Sequence, residues 1–482
     1  DGPGEHDTDP EIRCAANHVL SGLWSSMDDG GGTLGNDRDL FHALGLGRVY
    51  HRPMPVSAEA YLFDYDDEHN IRVAEHGGTA HFIWTSPADT EDSGEDIDVF
   101  YTTSSRGQHV LAELVDTAGV GDDGDDRSPE LAVGRDGRVH AIWQGDVLGG
   151  PAGTERGIFY AWSDGSGWSF PEMVASSGAS AEVIVTSPRI GVDAAGFVHA
   201  AWVSGTPPYP TSLAYARRTS PGGWSAAETP TVPTDLDWNP IFPGLHVEPD
   251  GTAHLVWITE TDVGGSGTDA DVYWARRQGG VWSPAELVND YGTTDNSADV
   301  DVQIDVAPDG EIVVVWASTY DPGGAGTDYD IMINFRDPAD AGPSAWGSSS
   351  LLVTHFTGDS GLDGDPAVSA SSDLIDVVWE SIDDLAGEGF DFDIFHARIP
   401  RSSVLPADVG VGFANANATG DVGHDLNPDL AVSPCGTVFV AWSTFDDFGF
   451  TVHSDSDAVY GRLGDLDGIF CDGFEYGSTL AW

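Results

Sequence analysis

Seven segments of the 482-residue chain end in a tryptophan, at Trp84, Trp143, Trp202, Trp257, Trp316, Trp379 and Trp442, spaced 59, 59, 55, 59, 63 and 63 residues apart. A period this regular restricts the chain to a repetitive architecture, because each unit must bury its apolar faces against its neighbours. Within a unit, alternating apolar residues such as Leu131 and Val133 lead to a glycine turn, Asp136-Gly137. A second apolar run, Val139 to Trp143, then completes a β-hairpin. After a variable acidic loop comes a third strand, as in Gly157-Ile158-Phe159-Tyr160-Ala161 and Asp393-Ile394-Phe395-His396-Ala397. A fourth starts near Trp168, Trp224, Trp282 or Trp346.

Four antiparallel strands in roughly 60 residues make a propeller blade. The expectation is therefore an all-β, seven-bladed β-propeller of four-stranded antiparallel blades over residues 47–463. The last blade lacks a fourth strand, and Tyr50-His51-Arg52-Pro53-Met54-Pro55-Val56 matches Trp168 to Val174 in spacing and character. That N-terminal outer strand is predicted to close the ring. Residues 1–46 then form an N-terminal extension or cap, and residues 464–482 a C-terminal tail.

Charge narrows the partners. Nineteen basic residues, all arginine, face 80 acidic ones, for a formal charge of -61. Such a surface repels nucleic acid and anionic lipid and attracts cations. No apolar run reaches the roughly 18 residues of a membrane span, and the opening DGPGEHDTDP reads as a mature start rather than a signal peptide.

Chain direction places the loop between strands two and three at the same end as the connection to the next blade. Both are acidic. The first kind closes with Asp-x-Asp in five blades: Asp96/Asp98, Asp269/Asp271, Asp328/Asp330, Asp391/Asp393 and Asp455/Asp457. It also carries an acid five residues past the tryptophan, at Asp89, Asp262, Asp321, Asp384 and Asp447. The second kind includes Asp122 to Asp126, Asp295/Asp299/Asp301, Asp359/Asp363/Asp365 and Asp421/Asp425. Carboxylates at alternate positions on glycine-rich loops suit Ca²⁺, which takes about six to eight oxygen ligands. Several calcium sites are the expected cofactor, holding loops together rather than performing catalysis. His81, His140, His199 and His254 each sit three residues before an anchor tryptophan. Four equivalent positions in four blades predict packed histidines, not a metal cluster.

The turn Ser163-Asp164-Gly165-Ser166-Gly167-Trp168 and the shorter Pro221-Gly222-Gly223-Trp224 resemble the Ser-x-Asp-x-Gly-x-Thr-Trp turn of sialidase-like (BNR or Asp-box) propellers. That resemblance implies a sugar-carboxylate grip by three arginines. Here Arg217, Arg218, Arg276, Arg277, Arg336, Arg398 and Arg462 all fall at the far ends of third strands, and Arg398-Ile399-Pro400 lies in the sixth repeat. Catalytic residues are therefore not assigned from it. An acidic face opposite an arginine rim also allows head-to-tail contact between copies of the chain.

The segment Ile469-Phe470-Cys471-Asp472-Gly473-Phe474-Glu475 resembles a C-terminal tail of secreted bacterial proteins, which implies export. Cys435, in the glycine turn on the face where the last strand ends, is the expected partner of Cys471, with Cys14 as the rival. The leading functional expectation is a secreted or cell-surface binding or structural protein, stabilised by divalent cations and able to assemble with itself. The alternative is a glycan-active hydrolase or lyase using the acidic axial face, or a lectin in which Trp238 and Tyr320 stack on sugar.

Overall fold

The computed structural model describes residues 7–14, 19–26, 39–46, 49–50, 54–55, 69–76, 79–86, 96–105, 108–109, 112–116, 124–146, 156–177, 184–205, 212–219, 223–230, 241–260, 262, 265–321, 328–338, 346–352, 361–382, 391–401, 410–414, 424–432, 438–444 and 457–463. Among these every regular element is a β-strand, and the strands form eight antiparallel sheets. In chain order the sheets span residues 7–55, 69–114, 127–176, 184–224, 241–287, 299–351, 363–413 and 425–463. In the third, Arg127–Val133, Val139–Asp146, Arg156–Ser163 and Glu172–Ser176 lie side by side in that order.

The first sheet departs from the expected seven. Asp7–Cys14, Val19–Ser26 and Asp39–Leu46 pair in order, and Trp24 stands opposite Phe41. Trp84 stands opposite Phe100 and Trp143 opposite Phe159 in the same way. The N-terminal residues are thus a further unit of the repeat. The segment Tyr50 to Val56 does not complete the last sheet, whose described strands number three. Instead Tyr50 pairs with Gly45, Met54 with His42 and Pro55 with Phe41. Closing a loop of a few residues onto Asp39–Leu46 costs far less entropy than reaching a strand some 400 residues away. The boundary expected after residue 46 falls inside this sheet.

The core is distributed between sheets. Middle strands such as Ile312–Ser318 are buried at every residue, which is why they read as continuous apolar runs. Ile83, Val99, Tyr101 and Val115 of the second sheet pack on Val139, Ala141, Trp143 and Ala161 of the third, and later neighbours repeat the arrangement. The seven anchor tryptophans are all 4% exposed or less.

Arginines tie the sheets together. Arg218 donates from Nε and Nη2 to Glu172 of the preceding sheet at 2.9 and 2.6 Å, Arg277 to Glu228 at 2.8 and 2.8 Å, and Arg336 to Glu286 at 3.1 and 3.3 Å. Each guanidinium also lies over an aromatic ring of that preceding sheet, Tyr160, Tyr215 or Trp274. Arg217 and Arg398 pair with Asp193 and Asp376. These rim arginines, expected to meet the acidic face of another copy, are engaged within the chain.

Each sheet's first strand lies against the first strand of the next, and Asp425–Val432 lies against Asp7–Cys14. The Ile12 backbone N–H donates to Asp429 Oδ2 at 3.1 Å across that last contact. The arrangement is propeller-like, with first strands innermost. All eight inner strands carry one bulge at an equivalent place, as between Arg127 and Glu130, Val300 and Gln303, and Gly364 and Ala367.

Candidate functional site

The two acidic connections meet at one end of the sheets. The carbonyl between the Asp-x-Asp residues accepts the N–H of an aspartate that opens the next inner strand: Ile97 from Asp126 (2.6 Å), Ala270 from Asp299 (3.1 Å), Tyr329 from Asp363 (2.9 Å) and Phe392 from Asp425 (2.6 Å). This backbone link fixes the second aspartate of each motif at the start of a third strand, where Asp98, Asp271, Asp330 and Asp393 are buried.

Asp269, Asp271 and Asp295 come together, each with a ligand oxygen within 4.8 Å of the others. The remaining residues named for metal are not gathered with them. Asp262 and Asp321 are exposed, Asp96 and Asp328 half-buried, and Asp391 buried, each in its own connection. Asp457 is described by its backbone, at the start of Asp457–Leu463. Asp89, Asp384, Asp447, Asp455, Cys435, Cys471, Trp238 and the tail lie outside the described residues. Tyr320 is half-buried and stacked on Tyr291, with centroids 3.8 Å apart, rather than offered to a sugar.

The four repeated histidines are packed. His81, His140 and His199 each share a 2.7 Å hydrogen bond between Nδ1 and a tyrosine hydroxyl of the adjacent strand, Tyr101, Tyr160 and Tyr215. Burial pushes each of these histidines down to about 4. His254 instead bonds Glu248 through Nε2 at 2.8 Å and tilts against Trp274.

The bulges carry a second constellation. Asn70, Ser128, Ser187, Asp301, Asp365 and Asn427 all have positive φ, between 43° and 54°, at the bulge of six inner strands. Left-handed backbone at a non-glycine residue costs of order 1–3 kcal/mol and gathers at functional sites, where bulges re-aim side chains. Asp301 and Asp365, on neighbouring inner strands, are open to solvent, although the protein packed around their carboxyl groups removes part of their hydration. Glu380 stands opposite Gly364 on the next strand of the same sheet, and its Oε2 accepts the Asn427 N–H at 2.9 Å. Burial and the facing Asp365 and Asp301 charges push Glu380 up to about 7. Burial also raises Asp301, with a contribution from Asp365, and raises Asp365 itself. A carboxyl group half protonated near neutrality beside other carboxylates is the pattern of an acid and base set apart by environment.

Sequence reading placed Asp301 and Asp365 in acidic connections and passed over Glu380. A signal for the bulge was present: a dipeptide ending mostly in proline, Asp9-Pro10, Ser128-Pro129, Ser187-Pro188, Phe242-Pro243, Asp365-Pro366 and Asn427-Pro428, stands 14 or 15 residues before each corresponding tryptophan, Trp24 included.

No protein-family model matches the sequence, and no curated protein matches it. Solved structures align at low identity. A puromycin-hydrolysing peptidase of Mycobacterium tuberculosis is 13% identical with a TM-score of 0.48, over 92% of this chain and 59% of that one. A polysaccharide lyase, an ulvan lyase, is 11% identical with a TM-score of 0.45, over 82% and 94%. An α-L-arabinanase of Penicillium chrysogenum is 13% identical with a TM-score of 0.42, over 70% and 94%. At such scores the propeller-like description rests on the sheets themselves.

Proposed function

We propose that the eight sheets close into one ring and that the protein is a glycan-active hydrolase, working where the inner-strand bulges open at the acidic end. The circuit of inner strands and the Ile12–Asp429 bond support closure. One arrangement carries the activity: Glu380, which accepts the Asn427 N–H and is pushed up to about 7 by burial and by the Asp365 and Asp301 charges, stands opposite the bulge that bears Asp365. Glycosidic hydrolysis needs such a division of labour, one carboxylic acid to protonate the leaving oxygen and one carboxylate to activate water or stabilise the oxocarbenium-like transition state. Glu380 takes the first role, and Asp365 or Asp301 the second. The surplus of carboxylates favours neutral sugar chains over uronates. Export through the tail of residues 464–482 and a Cys435–Cys471 disulfide belong to the same reading, since a polymeric glycan is met outside the cell, where disulfides persist.

The test is reducing-end release from neutral polysaccharides and a panel of chromogenic glycosides, with Glu380→Gln as control. Turnover by the wild type and its loss in the variant, at equal melting temperature, is the expected result. Retention on a glycan array without turnover would instead make the chain a binding or structural protein.

A further inference from the structure

We infer that Asp269, Asp271 and Asp295 form a Ca²⁺ site joining the fifth sheet to the connection that enters the sixth, independent of the Glu380 carboxylates. Asp269 and Asp271 flank the start of Asp271–Gln278, whereas Asp295 belongs to the segment before Asp299–Val306. Three buried oxygens without a hydrogen-bond partner, Asp269 Oδ2, Asp271 Oδ2 and Asp295 Oδ1, mark the site. Asp271 is 1% exposed, so its bare oxygen cannot be satisfied by bulk water.

The other oxygens are committed. Asp271 Oδ1 accepts from Asn289 Nδ2 at 2.8 Å, and the same amide donates to Asp299 Oδ2 at 2.6 Å. Asp295 Oδ2 accepts the Ser297 N–H at 3.3 Å. Tyr291 donates to Asp299 Oδ1 at 2.9 Å and accepts from Trp316 Nε1 at 2.9 Å, which holds the connection against the sixth sheet. A Cβ at Gly292 would stand 2.2 Å from Asp271 Oδ1, so glycine is what lets the connection approach this carboxylate. Each acid thus offers one oxygen to a shared point while its partner groups fix its orientation. The three carboxylates crowd like charge into one place, a repulsion that a divalent cation would remove. Three hard oxygens with the balance from water and carbonyls suit calcium better than magnesium, which demands tight octahedral geometry.

Calorimetric titration of the whole chain with CaCl2, and separately MgCl2, in NaCl at about 150 mM to swamp bulk screening, tests the site. Wild type is expected to bind one calcium equivalent more than Asp295→Asn, which removes a half-buried ligand and should match the wild-type melting temperature in EDTA. Asp271→Asn is expected to lose the same equivalent. Unchanged calcium stoichiometry in Asp295→Asn, or equal binding of Mg²⁺ by the wild type, would overturn the inference.

Discussion

The inner strands of the second to fourth sheets and those of the sixth to eighth share one bulged backbone but settle their charges in opposite ways. On the first side Glu130 Oε1 sits between Arg72 Nε at 3.0 Å and Arg189 Nη1 at 3.2 Å, a carboxylate held by guanidinium groups from both neighbouring sheets. On the other side Asp301, Asp365 and Glu380 face one another, and Glu380 stays partly protonated. A different contrast, between a neutral and a paired charged group, appears three residues before the anchor tryptophan. There the second to fourth sheets place a neutral buried histidine against tyrosine, while the seventh places Asp376 beneath His396 and Arg398 at 2.9 and 2.7 Å. Compensated charge is what a scaffold needs. Uncompensated charge, kept on strained backbone, is what chemistry needs.

The contrast is sharpest at Glu380. Replacing it with glutamine is expected to lower kcat by about 10²–10⁴-fold while leaving the melting temperature equal or higher, since a carboxyl held protonated gives the fold little when ionised. A variant hydrolysing glycans as fast as the wild type would erase the distinction between the two sides. Acid should strike the compensated side first. His81, His140 and His199 have folded values near 4, below the unfolded value of about 6.5. Their stabilising contribution is complete above about 6.5 and is lost as pH falls toward 4, by up to about 3 kcal/mol for each histidine. Urea unfolding across pH 7 to 4 measures it, and His140→Phe should flatten part of the slope.

A smaller loss is expected from Glu130→Gln, which leaves Arg72 and Arg189 facing each other without the carboxylate charge they share, at a cost of about 1–3 kcal/mol by chemical denaturation. Asp365→Asn abolishes turnover where Asp365 is the second carboxylate, and where Asp301 holds that role it has the smallest effect of the series. Removing that charge then lowers Glu380 toward the ordinary carboxylate range, so the alkaline limb of the pH–rate profile should move to lower pH. A limb that stays near pH 7 would assign the acid to a different group.

How far these features could be read in advance follows from where each is made. Strands and anchors are local, so the seven tryptophan hairpins were legible, and the histidines could be placed because repetition puts them in separate sheets. The first sheet was missed because its hairpin, with Trp24 preceded by Asp9-Pro10, carries Ala15 to His18 where most of the others have a glycine turn. Asp269 and Asp271 were visible as a motif, but Asp295 joins them only through the fold of the next connection. Glu380 follows an anchor tryptophan like any strand residue. Its weakened acidity comes from burial and from Asp365 and Asp301 on two neighbouring sheets, opposed by the Asn427 N–H of a third.

The contact between Ile12 and Asp429 differs in kind from the other junctions. Seven neighbouring pairs of sheets are joined by continuous chain, but this pair meets through side-by-side strands and a bond between residues 417 positions apart. A linear array of repeats melts inward from its ends, each terminal unit lacking one neighbour. Joined ends have no terminal unit to fray. In the proposed ring that seam therefore sets the cooperativity of the whole molecule: while it holds, all eight sheets unfold as a single unit, and once it parts, the protein becomes an open array.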